Sequence, residues 1–191
     1  MGASLTPEAA AQEVKFKVEF DKPDYEMLQT PKFTVQGTKD KRFTPKEWLN
    51  VEVKFKVESN SSKVHFLEAI TFKYYIVLNA RDAEGKSKML AADVNHVNVP
   101  LNEDIYSSCY VSPSALAVLL DKESSQVSQN DVLAVAVDAV LDGERIGVKT
   151  AGKGSGEWWE KLPPISGKIL TKNQTPFHVM WWDRYAEVQA K

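Results

Sequence analysis

Apolar and polar residues alternate along several segments of the chain. Between residues 14 and 20, and again between residues 49 and 57, every second residue is apolar and most of the residues between them are charged. Successive side chains of a β-strand point to opposite faces, so this period of two predicts strands with one buried and one solvated face. The alternation is typical of antiparallel sheets, because parallel strands that are covered on both faces read as continuous apolar runs.

The same pattern, with turn residues between the apolar runs, predicts nine strands. They cover residues 14–20, 32–36, 48–58, 64–80, 88–99, 105–111, 132–141, 145–149 and 177–188. The fourth is too long for one straight strand of a compact domain, so we expect it to be bent or bulged. Asp142-Gly143 predicts a type I′ hairpin, since Asp-Gly tolerates the positive φ that this turn requires. Residues 82–86 predict a second, looser hairpin.

One short helix is predicted between the sixth and seventh strands. Ser112 can cap it, and Pro113 suits its first position, ahead of an apolar run that ends at Leu120. A helix in this place would carry the chain from one sheet to the other. Residues 147–156 contain four glycines, and we expect them to form a mobile loop.

These elements predict an all-β fold, an immunoglobulin-like antiparallel β-sandwich with one short helical connection. An open barrel is the alternative. Residues 13–191 suit a single sandwich domain, and residues 1–12 read as a flexible linker. That linker has no signal-peptide pattern, and no apolar run in the chain approaches the roughly 20 residues of a transmembrane helix.

Composition and motif spacing exclude several classes of site. The 24 Lys and Arg residues are balanced by 26 Asp and Glu without a basic block, so we expect no nucleic-acid partner. A single cysteine, Cys109, rules out an intrachain disulfide and the cysteine-rich zinc patterns. The three histidines, His65, His96 and His178, do not have the spacing of a zinc site. We expect no metal, no cofactor and no catalytic activity.

Asp138 is the one acidic residue in the otherwise apolar segment 132–141. A buried carboxyl group of raised pKa would be a catalytic candidate, and a second carboxylate from a distant position could complete a glycosidase-like pair. Such an acid more often pairs with Lys or Arg, or lies where the strand meets solvent. A small hydrolase with an unrecognised carboxylate pair therefore stays open as an alternative.

The tryptophans are a better indication of function. Trp158-Trp159 and Trp181-Trp182 are adjacent pairs in a chain with five Trp residues. Neighbours on a strand face opposite ways, so Trp181 and Trp182 cannot both join the same core. An exposed indole can anchor a protein interface or stack on a sugar ring. Alternatively, the glycine-rich segment folds Trp158 or Trp159 over the sheet.

Apart from Asp138, the segment 132–141 is apolar at its even positions as well as its odd ones, and Tyr75 and Val77 interrupt the polar face of their own strand. A second apolar sheet face needs a covering layer, which is either the chain's own tryptophan segment or a second copy of the protein. We expect a homodimer or a homotrimer. The candidate contacts with a partner or ligand are Trp158, Trp159, Trp182, Tyr75 and Ala136.

Two motifs near the C-terminus resemble a known family. They are Gly156-Glu157-Trp158-Trp159-Glu160-Lys161-Leu162-Pro163-Pro164 and Thr175-Pro176-Phe177-His178-Val179-Met180-Trp181-Trp182. Together with the all-β pattern of the preceding residues, these motifs resemble those of secreted immunoglobulin-like proteins encoded beside type IV pilus genes in mucin-living Verrucomicrobia. The resemblance implies a non-catalytic extracytoplasmic protein that is secreted, periplasmic or outer-membrane-associated.

The same resemblance implies a protein partner at the cell envelope, with the chain acting as a binding or assembly module. The apolar N-terminal helix of a pilin subunit is missing from the sequence, so we do not expect a filament-forming role. A carbohydrate-binding module that uses Trp158, Trp159 or Trp182 is the first alternative.

Overall fold

The computed structural model describes residues 14–34, 36–39 and 41–190. The linker predicted for residues 1–12 lies outside these residues. The strands are β1 (Phe16–Phe20), β2 (Asp24–Gln29), β3 (Glu47–Ser59), β4 (Phe66–Arg81), β5 (Ser87–Pro100), β6 (Ile105–Val111), β7 (Val132–Leu141), β8 (Glu144–Gly152), β9 (Pro164–Ile165) and β10 (Ile169–Thr171), with α1 at Pro113–Leu120. Among the described residues, no helix has the length and mean hydropathy of a membrane span.

Two five-stranded sheets form a sandwich. In the first sheet, β3 has β6 along one edge and both β1 and β2 along the other, and β10 lies outside β6. The strand order of the second sheet is β8-β7-β4-β5-β9. The pairs are antiparallel except for the short β5–β9 pair. The prediction of an all-β antiparallel sandwich is confirmed.

The core between the sheets is built from alternate residues of the long strands. The inward residues of β3, from Leu49 to Val57, are buried and pack in one cluster with Phe72 and Ile76 of β4 and Val137 of β7. Burial of each such side chain contributes roughly 1.5–3 kcal/mol to folding. The period of two in the sequence therefore marks the inward face of these strands.

The predicted helix and hairpins are present. Ser112 Oγ accepts a hydrogen bond from the backbone N–H of Ala115 at 3.2 Å and caps α1. The helix links β6 of the first sheet to β7 of the second. Asp142 and Gly143 have φ angles of 51° and 83° in the β7–β8 hairpin. In β4, the pairing with β7 shifts register after Val77, which is the irregularity expected of so long a strand.

Three predictions about local structure are wrong. The described residues of 32–36 are not in a strand. The strand that follows β1 and pairs with β3 is instead β2, which begins after the buried Pro23. Residues 177–188 form turns and a short 3₁₀-helix with isolated bridges instead of a strand. Residues 147–152 belong to β8 and are not a loop, because they pair in register with β7.

Candidate functional site

The segment after β8 covers the outer face of the second sheet. Trp159 is 5% exposed and packs in a cluster with Val77, Met89 and Ala136. Its ring stacks on Tyr75, with centroids 6.3 Å apart and an interplanar angle of 29°. The layer over this apolar face is thus the chain's own tryptophan segment.

This arrangement corrects two of the candidate contacts. Ala136 is buried beneath the segment and Trp159 is the buried side chain that covers it, so neither has surface to offer to a partner. Tyr75 is half-buried under Trp159, and Trp158 is half-buried edge-on against Trp159, with centroids 5.4 Å apart. Trp182 is the candidate that stays broadly exposed.

Asp138 belongs to an ion-pair cluster centred on Arg145. Arg145 Nη2 lies 2.9 Å from Asp138 Oδ2 and 3.1 Å from Glu160 Oε1, and its Nη1 lies 3.3 Å from Glu157 Oε1. Burial raises the pKa of Asp138, and the neighbouring guanidinium opposes that rise. A permanent cation lies between the carboxylates, so the cluster fastens the tryptophan segment to β7 and β8. This geometry does not favour the hydrolase alternative.

His96 is buried where β5 and β6 meet. Its Nδ1 lies 3.2 Å from the carbonyl oxygens of both Ala186 and Glu187. Carbonyls only accept, so Nδ1 carries the proton, and Nε2 accepts a hydrogen bond from the Ser107 hydroxyl at 2.7 Å. Ser107 Oγ in turn accepts from the Tyr74 hydroxyl at 2.7 Å. Burial lowers the pKa of His96 to about 4, so the ring is neutral at pH 7.

A serine beside a histidine is the pairing of a nucleophile and its base, but here both residues are buried in the interior. No substrate reaches Ser107 in this arrangement, and the pair holds the two sheets together. The other histidines, His65 and His178, are exposed. In the part of the chain that the structure describes, no group of three or more His, Cys, Asp or Glu side chains could hold a metal ion.

Residues 172–184 cover the outer face of the first sheet. Phe177 is buried and stacks on Tyr110, with centroids 5.1 Å apart and an interplanar angle of 12°. Arg184 Nη2 donates a hydrogen bond to Glu52 Oε1 at 2.6 Å. The C-terminal part of the chain therefore supplies a cover for the outer face of each sheet.

Three large apolar side chains stay exposed on this cover, and we call them the C-terminal tip. Val179 is 52% exposed, Trp181 48% and Trp182 64%. The backbone of Trp181 is left-handed, with φ 51° and ψ 45°, a conformation that bulky residues rarely adopt. The paired tryptophans in the sequence identified Trp182 as a candidate contact. Val179 and Trp181 were not identified, because residues 177–188 were predicted to form a strand and not an exposed turn.

A cavity of about 490 Å³ opens beside the C-terminal tip. Its lining includes Lys172, His178, Trp182, Tyr185 and Glu187. Lys172 is the unusual member, because it is 4% exposed and lysine is almost never fully buried unless paired. Nothing in the polar stretch around Lys172 in the sequence signalled this burial.

The fold and its covers define a β-sandwich protein whose outer faces are closed by its own C-terminal segments. A protein-family model matches residues 9–191, nearly the whole chain, and the chain belongs to that family. It is similar to a protein from Akkermansia muciniphila whose crystal structure superposes with a TM-score of 0.81 at 29% identity, covering 96% of this chain and 98% of that one. The search of curated proteins found no match.

Akkermansia muciniphila is one of the Verrucomicrobia to which the two C-terminal motifs pointed. The resemblance seen in the sequence is confirmed to that extent.

Proposed function

We propose that the protein is a non-catalytic extracytoplasmic binding and assembly module, associated with a pilus or outer-membrane system. The family match and the similarity to the Akkermansia muciniphila protein support its place among proteins of this architecture. The envelope location and the pilus association rest on the resemblance of the two C-terminal motifs. The observation that carries the binding role is the C-terminal tip.

The C-terminal tip has the properties of a protein-docking surface. Its two indoles and one branched aliphatic side chain stand exposed on neighbouring positions of one turn. Tryptophan is enriched among the residues that dominate protein–protein binding energy. The left-handed backbone of Trp181 costs roughly 1–3 kcal/mol, and strain of this kind concentrates at functional positions.

The partner that we propose for the tip is a second copy of this chain, in a homodimer or a homotrimer. Most soluble oligomers are symmetric assemblies of identical chains. The net charge of −2 is small, so two copies approach with little overall repulsion. Burial of Val179 and Trp181 against the same residues of a second copy would remove these apolar side chains of both chains from water, and Trp182 would keep its place at the border of the cavity.

Light scattering coupled to size exclusion tests this proposal across a dilution series. We expect the mass of two or three chains at high concentration, and a single chain for Trp181→Gly. The glycine variant removes the indole and relieves the left-handed strain, so its monomer should unfold at the same or a higher urea concentration.

Phe43→Gly is the matched control, because it removes an equally exposed aromatic ring from a loop elsewhere on the surface. This variant should still associate. A mass of one chain for the unaltered protein at every concentration would refute self-association. An oligomer that survives Trp181→Gly would show that the tip is not the interface.

The carbohydrate-binding alternative now depends on Trp182, since Trp159 is buried and Trp158 is packed edge-on against it. Trp182 borders the cavity beside the tip, and the same cavity is lined by the buried Lys172.

A further inference from the structure

We propose that the cavity beside the C-terminal tip is a binding site for an acidic sugar, a pyranose ring that carries a carboxylate. This inference goes beyond the assembly role and does not depend on it. It follows from the surroundings of the Lys172 ammonium, the size of the cavity and the exposed ring of Trp182.

The Lys172 ammonium is buried with few partners. Its Nζ donates one hydrogen bond, to the carbonyl oxygen of His178 at 3.0 Å. It also lies over two aromatic rings, 5.0 Å from the centroid of Tyr185 and 5.9 Å from that of Trp182. An ammonium group has three N–H donors, so two of them have no acceptor among the hydrogen bonds of the described residues.

No carboxylate of the described residues is within ion-pair distance of this ammonium. Burial alone lowers the pKa of Lys172, with no acidic side chain acting against it. A buried charge without a counter-ion is costly. An anionic ligand would supply the missing charge and accept the free N–H groups.

The Glu187 carboxylate lines the same cavity, and its Oε2 accepts a hydrogen bond from the neutral Asn98 amide at 3.0 Å. The volume of about 490 Å³ falls within the usual range of small-molecule sites, roughly 300–1,000 Å³. Asn173 and His178 also line the cavity and offer polar side chains that suit hydroxyl groups.

The exposed indole of Trp182 favours a ligand that contains a sugar ring. Its indole is 64% exposed although Lys172 lies over it, so most of its surface is open to a ligand. Aromatic rings bind the apolar C–H face of a pyranose, and the indole is the largest of them. A carboxylate for Lys172 and a flat C–H face for Trp182 together describe an acidic sugar.

NMR titration of the ¹⁵N-labelled protein with glucuronate tests the site at pH 7. We expect saturable shifts of the Trp182 indole N–H and of the backbone amides of Ala186 and Val188, with a Kd of about 1 mM. Two related probes separate the parts of the ligand. Glucose has the ring without the carboxylate, and acetate has the carboxylate without the ring, so each should bind at least about tenfold more weakly.

Lys172→Met removes the ammonium and keeps the length of the side chain. It should reduce glucuronate affinity at least about tenfold without loss of folding, because it also removes an unpaired buried charge. Lys168→Met is the control, since Lys168 is exposed and does not line this cavity. Trp182→Ala alters an exposed side chain and should weaken glucuronate binding in a protein that folds normally.

The site is refuted if glucuronate causes no saturable shifts, or if Lys172→Met or Trp182→Ala binds it as tightly as the unaltered protein. Equal affinity for glucose would refute the role of the carboxylate, and equal affinity for acetate would refute the sugar class. The variant Trp181→Gly separates this proposal from self-association. It should lose the oligomer and still bind glucuronate.

Discussion

His96 of the second sheet accepts a hydrogen bond from Ser107 of the first, with 2.7 Å between Nε2 and Oγ. Beside this hydrogen bond, residues 185–189 lie between β5 and β6. The backbone N–H of Ala186 donates to Tyr106 on one side at 2.9 Å, and that of Gln189 donates to Asn95 on the other at 2.9 Å. We call residues 185–189 the closing segment, because they connect one edge of each sheet.

Acid should weaken the fold through His96. Its pKa falls from the ordinary 6.5 to about 4 on burial, so the unfolded chain takes up this proton at a higher pH than the folded chain does. The contribution of the neutral ring to stability is complete above pH 6.5 and is lost as the pH falls from 6.5 towards 4. The loss should reach about 3 kcal/mol near pH 4, measured by urea unfolding at several pH values.

His96→Gln should flatten this pH dependence and lower stability at pH 7. His178→Gln, which removes an exposed imidazole, should leave the slope unchanged. Equal slopes for the unaltered protein and for His96→Gln between pH 6.5 and 4 would argue against a neutral buried ring.

Arg145→Met should destabilise the protein by leaving the Asp138 carboxylate without its cation. Loss of one partner of a fully buried pair costs roughly 3–5 kcal/mol. The Arg145 side chain is 40% exposed, so water screens the pair and we expect about 2 kcal/mol in urea unfolding. The double variant Asp138→Asn/Arg145→Met should recover part of this loss. Arg42→Met, at an exposed position, should change stability little, and an equal loss there would contradict the role of the cluster.

Ala136→Glu should prevent stable folding. The Ala136 side chain is fully buried beneath Trp159, so a glutamate there would be desolvated and would displace the indole, at a cost of more than about 4 kcal/mol. Circular dichroism and urea unfolding would show the loss of the β-sheet. Ala83→Glu introduces the same side chain at an exposed turn and should be tolerated. A folded, monomeric Ala136→Glu variant would instead place this face at an interface between chains.

Two glycines of positive φ should respond differently to alanine. A Cβ on Gly152, where φ is 88°, would overlap the Leu133 carbonyl oxygen and lie 2.8 Å from Ala134 Cα. A Cβ on Gly143, where φ is 83°, would meet nothing within 4 Å. Gly143→Ala should therefore cost about 1–2 kcal/mol, from the left-handed backbone alone. Gly152→Ala should cost clearly more in thermal or urea unfolding, and equal costs would refute the close approach of β7.

The sandwich could be predicted because the signals for its strands and its helix lie within short stretches of the sequence. Alternation in β3 fixes which face is buried, and Ser112 with Pro113 fixes where α1 begins. The strand β2 was missed since its alternation is short and carries charges, and its pairing with β3 decides its structure. Residues 147–152 contain two glycines and still form an edge strand, because β7 supplies the partner.

The site could be predicted only in part. The paired tryptophans showed that an indole must lie outside the core, and either a chain segment or a partner could cover it. The left-handed turn at Trp181 and the burial of Phe177 against Tyr110 arise from contacts with a distant sheet. Burial of Lys172 arises in the same way, since Tyr185 and Trp182 enclose it only after the C-terminal turns have packed.

The closing segment has a kinetic consequence. His96 and Ala186, which meet at this segment, are 90 residues apart in the chain. A contact of such separation carries a larger loop-closure entropy than a hairpin does, so we expect it to form after the local hairpins β4–β5 and β7–β8. Interactions that are absent from the transition state act on the rate of unfolding. We therefore expect the closing segment to slow unfolding of the sandwich and to leave its folding rate unchanged.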